Sequence, residues 1–257
     1  MTRNWIAAHI YHTGDLNLLL TRQIAPFIEQ HKHLLDQGTP YFFIRYPAGG
    51  DHIRLRMNTL NEHELKQKLC FPDIQYSPYE PEDERYANIA LAEQHFAVSS
   101  QVIMEWLCRG KGSHHIQAIQ LHLLLLLSTG WSPADLLLLC EYFTNDWLTI
   151  FRTDGMKDKF NQAFHPQQEI LFNATLEFWN NATKENISPS LLYYLKENSR
   201  IMSAYNADQY TTQQLTIAIT SMMHMTHNRL GIENAEEAYI MYCTQACLSN
   251  IISHEHN

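Results

Sequence analysis

Tyr41-Phe42-Phe43-Ile44-Arg45-Tyr46, Pro47-Ala48-Gly49-Gly50-Asp51 and His52-Ile53-Arg54-Leu55-Arg56-Met57-Asn58 form the stretch that decides the fold class. The first segment is aromatic and β-branched, the last alternates apolar and polar residues, and turn formers lie between them. This spacing predicts an antiparallel hairpin. Trp5 to Tyr11 upstream and Ile74 to Tyr79 downstream read as further short strands, with a helix over Asp15 to Leu35 that starts at Gly14-Asp15 and stops at Gly38. From Glu82 onward helical periodicity dominates. The candidates are 82–109, 113–129, 132–151, 166–181, 188–203, 211–230 and 235–252. Ser132-Pro133 and Ser188-Pro189 look like helix starts, with Ser at the cap and Pro in the first turn. The expectation is an α+β fold, a small antiparallel sheet in the N-terminal third packed on a predominantly helical body, forming one domain over 1–257.

Composition narrows the function. The chain has 257 residues, 18 Lys+Arg against 27 Asp+Glu, and a formal charge of -9. Such an acidic chain lacks the cationic surplus that non-specific nucleic-acid binding needs, so no direct nucleic-acid partner is expected. The N-terminus, Met1 to Trp5, leads into no apolar signal core. The leucine runs Leu123–Leu127 and Leu136–Leu139 are far shorter than the ~18 apolar residues of a membrane span. Five scattered Cys (70, 108, 140, 243 and 247) read as reduced thiols. Cys243 and Cys247 share a helix face but match no zinc spacing. A cytoplasmic protein without cofactor or metal is expected.

The hairpin carries the first chemical signal. Period two sets Ile53, Leu55 and Met57 on one face and His52, Arg54 and Arg56 on the other. If Phe42, Ile44 and Tyr46 share the core face, Arg45 joins the polar one. Guanidinium groups crowded on one face repel one another unless an anion lies among them, and Arg grips carboxylate or phosphate with two parallel bonds. An anion pocket and a solvated strand face paired with acids from the helices both fit this pattern.

The second signal is Ser221-Met222-Met223-His224-Met225-Thr226-His227-Asn228-Arg229-Leu230-Gly231. Helical spacing places Ile217, Ser221, His224 and Asn228 along one stripe with His227 beside it, and Gly231 can end the helix. A sheltered His224 suits proton transfer near neutral pH. From this segment alone, a core histidine bonded to a backbone carbonyl is the better reading. No HExxH pattern or nearby carboxylate completes a metal site with His224 and His227. Glu80, Glu82, Asp83 and Glu84 bunch around Pro81 as charges at a helix start, with Arg85-Tyr86 following. His31-x-His33 and His114-His115 read as surface pairs. Gly49-Gly50 is too short for a phosphate loop, and no nucleophile elbow occurs.

Taken in order, Trp5-Ile6, Asp15-Leu16 through Ile24-Ala25-Pro26, Tyr41 to Tyr46, His52-Ile53-Arg54-Leu55-Arg56, Tyr79-Glu80-Pro81-Glu82 with Glu84-Arg85-Tyr86, Ala92-Glu93-Gln94-His95-Phe96, and His224 before Asn228-Arg229-Leu230-Gly231 resemble the C-terminal domain of class I lantibiotic dehydratases, also called the thiopeptide-type bacteriocin biosynthesis domain. The resemblance runs over nearly the whole chain. It implies a stand-alone lyase of peptide maturation. The domain would eliminate glutamate from glutamylated Ser or Thr of a precursor peptide, leaving dehydroalanine or dehydrobutyrine. A separate tRNA-dependent glutamylation protein would be its partner, and a homodimer is compatible. By motif position the catalytic set is Arg54, Arg56 and His224, with Arg45, His52, Arg85 and Asn228 as substrate-binding candidates. Arginines would hold the glutamyl group and its charge while a histidine moves the proton.

One departure stands out. The family shows Arg in Tyr-x-Arg-Glu-x-Glu-Arg-Tyr where this chain has Pro81, and Gly-Gly where it has Ala87-Asn88. A pocket Arg is thus missing unless Arg45 or Arg85 supplies the charge. Stand-alone relatives use the same fold as pyridine synthases, joining two dehydroalanines in a formal [4+2] cyclisation and expelling the leader. That reading stays open, as does a non-catalytic precursor-binding scaffold.

Overall fold

A computed structural model describes residues 5–81, 83–151 and 155–255. The fold class is α+β, as expected. The chain forms two compact units, Met1–Lys111 and Gly112–Asn257.

The first unit holds four strands, β1 (Trp5–Tyr11), β2 (Tyr41–Tyr46), β3 (His52–Asn58) and β4 (Ile74–Ser77). The sheet is antiparallel in the order β2-β3-β1-β4, so the N-terminal strand lies inside it. One face carries Ile6, Ala8, Ile10, Phe43, Ile53, Leu55 and Met57, each at most 1% exposed. Leu19, Leu20, Ile24 and Leu65 are buried with them. The helix expected over 15–35 is segmented: α1 (Leu16–Leu19), a π-helical turn (Leu20–Ile24), α2 (Ala25–His31) and a 3₁₀ turn (Lys32–Leu34). Asp15 caps it, its side chain accepting from the Asn17 amide. A short helix missed in the sequence, α3 (Glu62–Lys68), buries Leu65 but carries mostly charged residues, so it shows little apolar periodicity.

The expected long helix from 82 to 109 is broken. α4 (Asp83–Tyr86) stops, and α5 (Ile89–Arg109) begins anew with the Asn88 side chain accepting from the Leu91 amide. Glu82 and the side chain of Asp83 lie outside the described residues. Ala87 between them adopts φ 58, a left-handed conformation. A Cβ there costs about 1–2 kcal/mol. This is where the family pattern has glycine. Ala87→Gly should therefore raise the unfolding free energy by about 0.5–1 kcal/mol, after subtracting the freedom glycine adds to the unfolded chain. A denaturant midpoint measures this, and a lowered midpoint would mean that the methyl packs better than its conformation costs. α5 packs on β2, where Ser100 Oγ accepts the Phe43 amide at 3.2 Å.

The second unit is helical, with α6 (His114–Thr129), α7 (Pro133–Phe151), α8 (Met156–Phe164), α9 (Gln168–Thr183), α10 (Pro189–Ala207), α11 (Thr212–Leu230) and α12 (Asn234–Glu255). α6 is its core helix: Leu121, Leu123, Leu124, Leu125 and Leu126 are all 0% exposed, which explains the leucine run. Among the described residues no helix is long and apolar enough to cross a membrane. α8 had no counterpart in the sequence reading. Cys140, Cys243 and Cys247 are buried free thiols, pushed up to about 12, 12 and 11 by burial, and thus protonated packing groups.

Candidate functional site

Each unit carries one set of polar side chains relevant to chemistry. In the first unit the strand register assembles a face. Arg54 stands opposite His9 on β1 and Ile44 on β2, Arg56 opposite Ala7 and Phe42, and His52 opposite Tyr11 and Tyr46. The expected alternation of β3 is therefore present, but β2 has the opposite phase. Phe42, Ile44 and Tyr46 line the arginine face, whereas Arg45 lies on the apolar face beside Ile53. There its guanidinium donates to Asn17 Oδ1 at 2.7 Å. Burial lowers its pKa to about 10, against the pull of Asp15. The expectation of a third arginine beside Arg54 and Arg56 is corrected accordingly. A strand with aromatic side chains on both faces has no period from which its phase can be read.

Neither Arg54 nor Arg56 has a carboxylate partner among the described residues. The Arg54 guanidinium carbon lies over the Tyr46 ring, 3.3 Å from its centroid, and its buried Nε has no hydrogen-bond partner among the described residues. Arg56 is 8% exposed, 6.0 Å from the Tyr79 ring, with one buried terminal nitrogen likewise unpaired. Burial, then the neighbouring Arg54, lowers its pKa to about 10, so it stays cationic at neutral pH. The face is partly covered, and among the described residues no acid pairs with its two arginines. Glu93, itself buried, accepts from Tyr79 Oη at 2.8 Å.

Two imidazoles complete this face. His52 is 1% exposed, and its Nδ1 lies 2.7 Å from the Gly50 carbonyl. A carbonyl only accepts, so Nδ1 carries the hydrogen and the buried Nε2, without a partner among the described residues, is a bare acceptor when the ring is neutral. His9 stacks on His52 at 5.2 Å and meets Ser77 Oγ through Nε2 at 3.0 Å. Burial, then Arg56, Arg54 and His52, lower its pKa to about 4. His9 was missed in the sequence; period two along β1 would have found it once β1 was paired with β3. Arg85 is exposed on the short α4, and Tyr86 beside it is buried against Phe96 at 5.0 Å.

In the second unit, Ile217, Ser221, His224 and Asn228 form the half-buried stripe of α11, between fully buried positions. Gly231 ends the helix at φ 77, its amide reaching the Asn228 and His227 carbonyls, as expected. Arg229 and Leu230 are 0% exposed, so that part of the motif packs inside the unit. His114, expected at the surface, is half-buried, and its Nδ1 donates to the Leu230 carbonyl at 2.6 Å. His224 is bonded to a carboxylate and not to a backbone carbonyl: its Nδ1 lies 2.8 and 3.0 Å from the two oxygens of Glu237, in the first turn of α12. His227 Nδ1 reaches Glu237 Oε2 at 3.0 Å. Glu237 is 0% exposed. Burial alone would push its carboxyl up, but the bonds from His224 and His227 outweigh it and hold the group ionised. No pattern in the sequence ties this carboxylate to the two histidines, because the turn at 231–233 separates α11 from α12. Among the described residues no group of three or more His, Cys, Asp or Glu is placed to hold a metal ion.

The model of the lantibiotic biosynthesis dehydratase C-terminus matches residues 5–248, which take in both sets. The chain belongs to this family. None of the curated proteins compared matches it. Three solved structures share the family fold at low identity. The tRNA-dependent lantibiotic dehydratase MibB from Microbispora sp. 107891 is 17% identical, with TM-score 0.72 over 98% of this chain. The pyridine synthase TbtD from thiomuracin biosynthesis is 12% identical, with TM-score 0.74 over 98% of this chain and 100% of its own. TsrL is 14% identical, with TM-score 0.72, 98% of this chain and 96% of its own. The chain spans 28% of the length of MibB. It is thus a lantibiotic-dehydratase-family domain whose fold is shared by a pyridine synthase.

Proposed function

We propose that this domain removes glutamate by β-elimination from glutamylated Ser or Thr of a precursor peptide, and that a separate tRNA-dependent protein attaches the glutamate. A base takes the Cα proton, the electron pair forms the Cα=Cβ bond, the Cβ–O bond breaks, and glutamate leaves as a carboxylate. Three tasks follow: hold an anionic group, stabilise developing negative charge, and move one proton. The observation that carries the reading is the pair of half-buried Arg54 and buried Arg56, neither with a carboxylate partner among the described residues. His9, its pKa lowered, adds a neutral polar contact to that face, and His52 lies stacked beside it. His224, whose side chain is 27% exposed, is the proton-transfer group, with Asn228 one turn on as a peptide contact. The reading requires both units, so a variant in either should lose the activity.

A second reading, pyridine formation by [4+2] cyclisation of two dehydroalanines with leader release, is favoured by Pro81 at the place of the family arginine. Mass spectrometry separates the two. Elimination frees glutamate and keeps the leader attached, whereas cyclisation detaches the leader and frees no glutamate. With a glutamylated precursor, His224→Ala should slow glutamate release by about 10²–10⁴-fold. An unchanged rate would remove His224 from the mechanism. Tight precursor binding with neither product would leave a scaffold.

A further inference from the structure

Two imidazoles and one carboxylate in the second unit are arranged so that only one ring can reach a peptide. His227 and Glu237 are both 0% exposed, whereas the His224 side chain keeps 27%. Oε2 of Glu237 accepts from both rings, and Oε1 accepts from His224 as well. An ionised carboxylate only accepts. Each Nδ1 therefore carries a hydrogen, and the lone pair of each neutral ring sits on Nε2.

For His227 that lone pair is buried, with no partner among the described residues. Its ring stands edge-on to His122 at 4.6 Å and to Phe143 at 5.9 Å, and burial lowers its pKa. It is a neutral internal strut. The Trp147 ring lies 5.3 Å from that of His224. α7 thus gives the two rings aromatic neighbours, and α6 sets the neutral His122 against His227 and His115 3.2 Å from Glu236. The nearest donors to the buried carboxylate are therefore the two Nδ1–H groups. An ionised carboxyl in such a place is costly unless its bonds are made and kept.

We infer that Glu237 is a positioning residue: its buried carboxylate, braced from within by His227, holds His224 as the Nδ1–H tautomer and so turns Nε2 toward the substrate. This rests on the reading of His224 as the proton-transfer group. An unconstrained imidazole favours the other tautomer, in which Nε2 carries the hydrogen and cannot accept the Cα proton. Without the carboxylate a large part of the rings would be in the wrong form, as happens where the orienting acid of a catalytic triad is replaced by its amide.

The test uses the full chain labelled with ¹⁵N-histidine, at pH 8.5, where an ordinary imidazole is neutral. The His224 signals are assigned by their loss in His224→Ala. The expected wild-type pattern is protonated Nδ1 and bare Nε2, measured with no peptide present. In Glu237→Gln an amide NH2 faces one of the rings, so His224 should move toward the Nε2–H form. Then kcat for glutamate release should fall by about 100-fold or more, with KM within about 2-fold. Glu237→Asp should keep the tautomer and recover about 10-fold of that loss. A wild-type His224 in the Nε2–H form overturns the inference, whether or not the variants fold. So does a folded Glu237→Gln with unchanged tautomer and kcat. If His224→Ala proves fully active while the wild-type ring is Nδ1–H, the reading of His224 as the proton-transfer group fails and the carboxylate's hold on the ring stands.

Discussion

Arg56→Met should yield a protein that melts higher than its parent yet no longer turns over glutamylated peptide. The two halves of this result have one cause. Arg56 is 8% exposed, has a buried guanidinium nitrogen without a partner among the described residues, and lies near Arg54, another cation. Burying charge without an internal counter-charge is costly, and replacing such a group by an apolar side chain of similar length is worth about 1–3 kcal/mol. For a chain of this size that raises Tm by roughly 3–8 °C. On the proposed elimination, the same replacement removes a cation that meets developing negative charge, a loss of about 10²–10³-fold in kcat. Arg56→Lys keeps the charge but loses the planar fork, so its rate should fall between the two. Calorimetry and glutamate release measure both effects. A destabilised Arg56→Met would mean that the guanidinium is anchored by the fold and serves it.

The second large effect concerns acid. His122 and His227 in the second unit are wholly buried, and burial lowers both pKa values; His9 in the first unit is lowered to about 4, by burial and then by Arg56 and Arg54. In the unfolded chain these rings take up protons near pH 6.5. Below that the unfolded state binds more protons than the folded one, so unfolding free energy falls with falling pH. Stability should be level above about pH 6.5 and drop as the pH goes below it, with the His9 share spent by about 4. His122→Leu should flatten the slope for the second unit, and His9→Gln for the first. Tm measured from pH 8 to pH 4 checks this. A flat profile in the wild type would show that these rings are protonated at no cost in the fold.

Much of this was legible because two patterns are strict. β3 alternates without a fault, so the pairing of Arg54 and Arg56 on one face follows from period two alone. The stripe through His224 and Asn228 and its end at Gly231 follow from helical spacing and glycine's conformation. What stayed hidden depends on contacts between distant segments. The phase of β2 was unreadable because Tyr41, Phe42 and Phe43 are all buried, on opposite faces. Arg45 looks like a surface cation in sequence; Asn17, far away in the chain, makes its burial tolerable. Glu237 reads as an ordinary acid at a helix start, which it also is. Its second role appears only when α12 folds back on α11. The same holds for His9, an isolated histidine until β1 is placed next to β3.

Having the first strand in the interior of the sheet has a consequence for biosynthesis. β1 leaves the ribosome before either neighbour, since it pairs with residues 52–58 on one side and 74–77 on the other. At about 5–20 residues per second, several seconds pass between its emergence and that of β4. During that interval Ile6, Ala8 and Ile10 and both sets of strand amides are open to any extended segment nearby. Yield in a cell should therefore depend on translation speed and holdase supply over the codons from β1 to β4, more than on the many helices that follow.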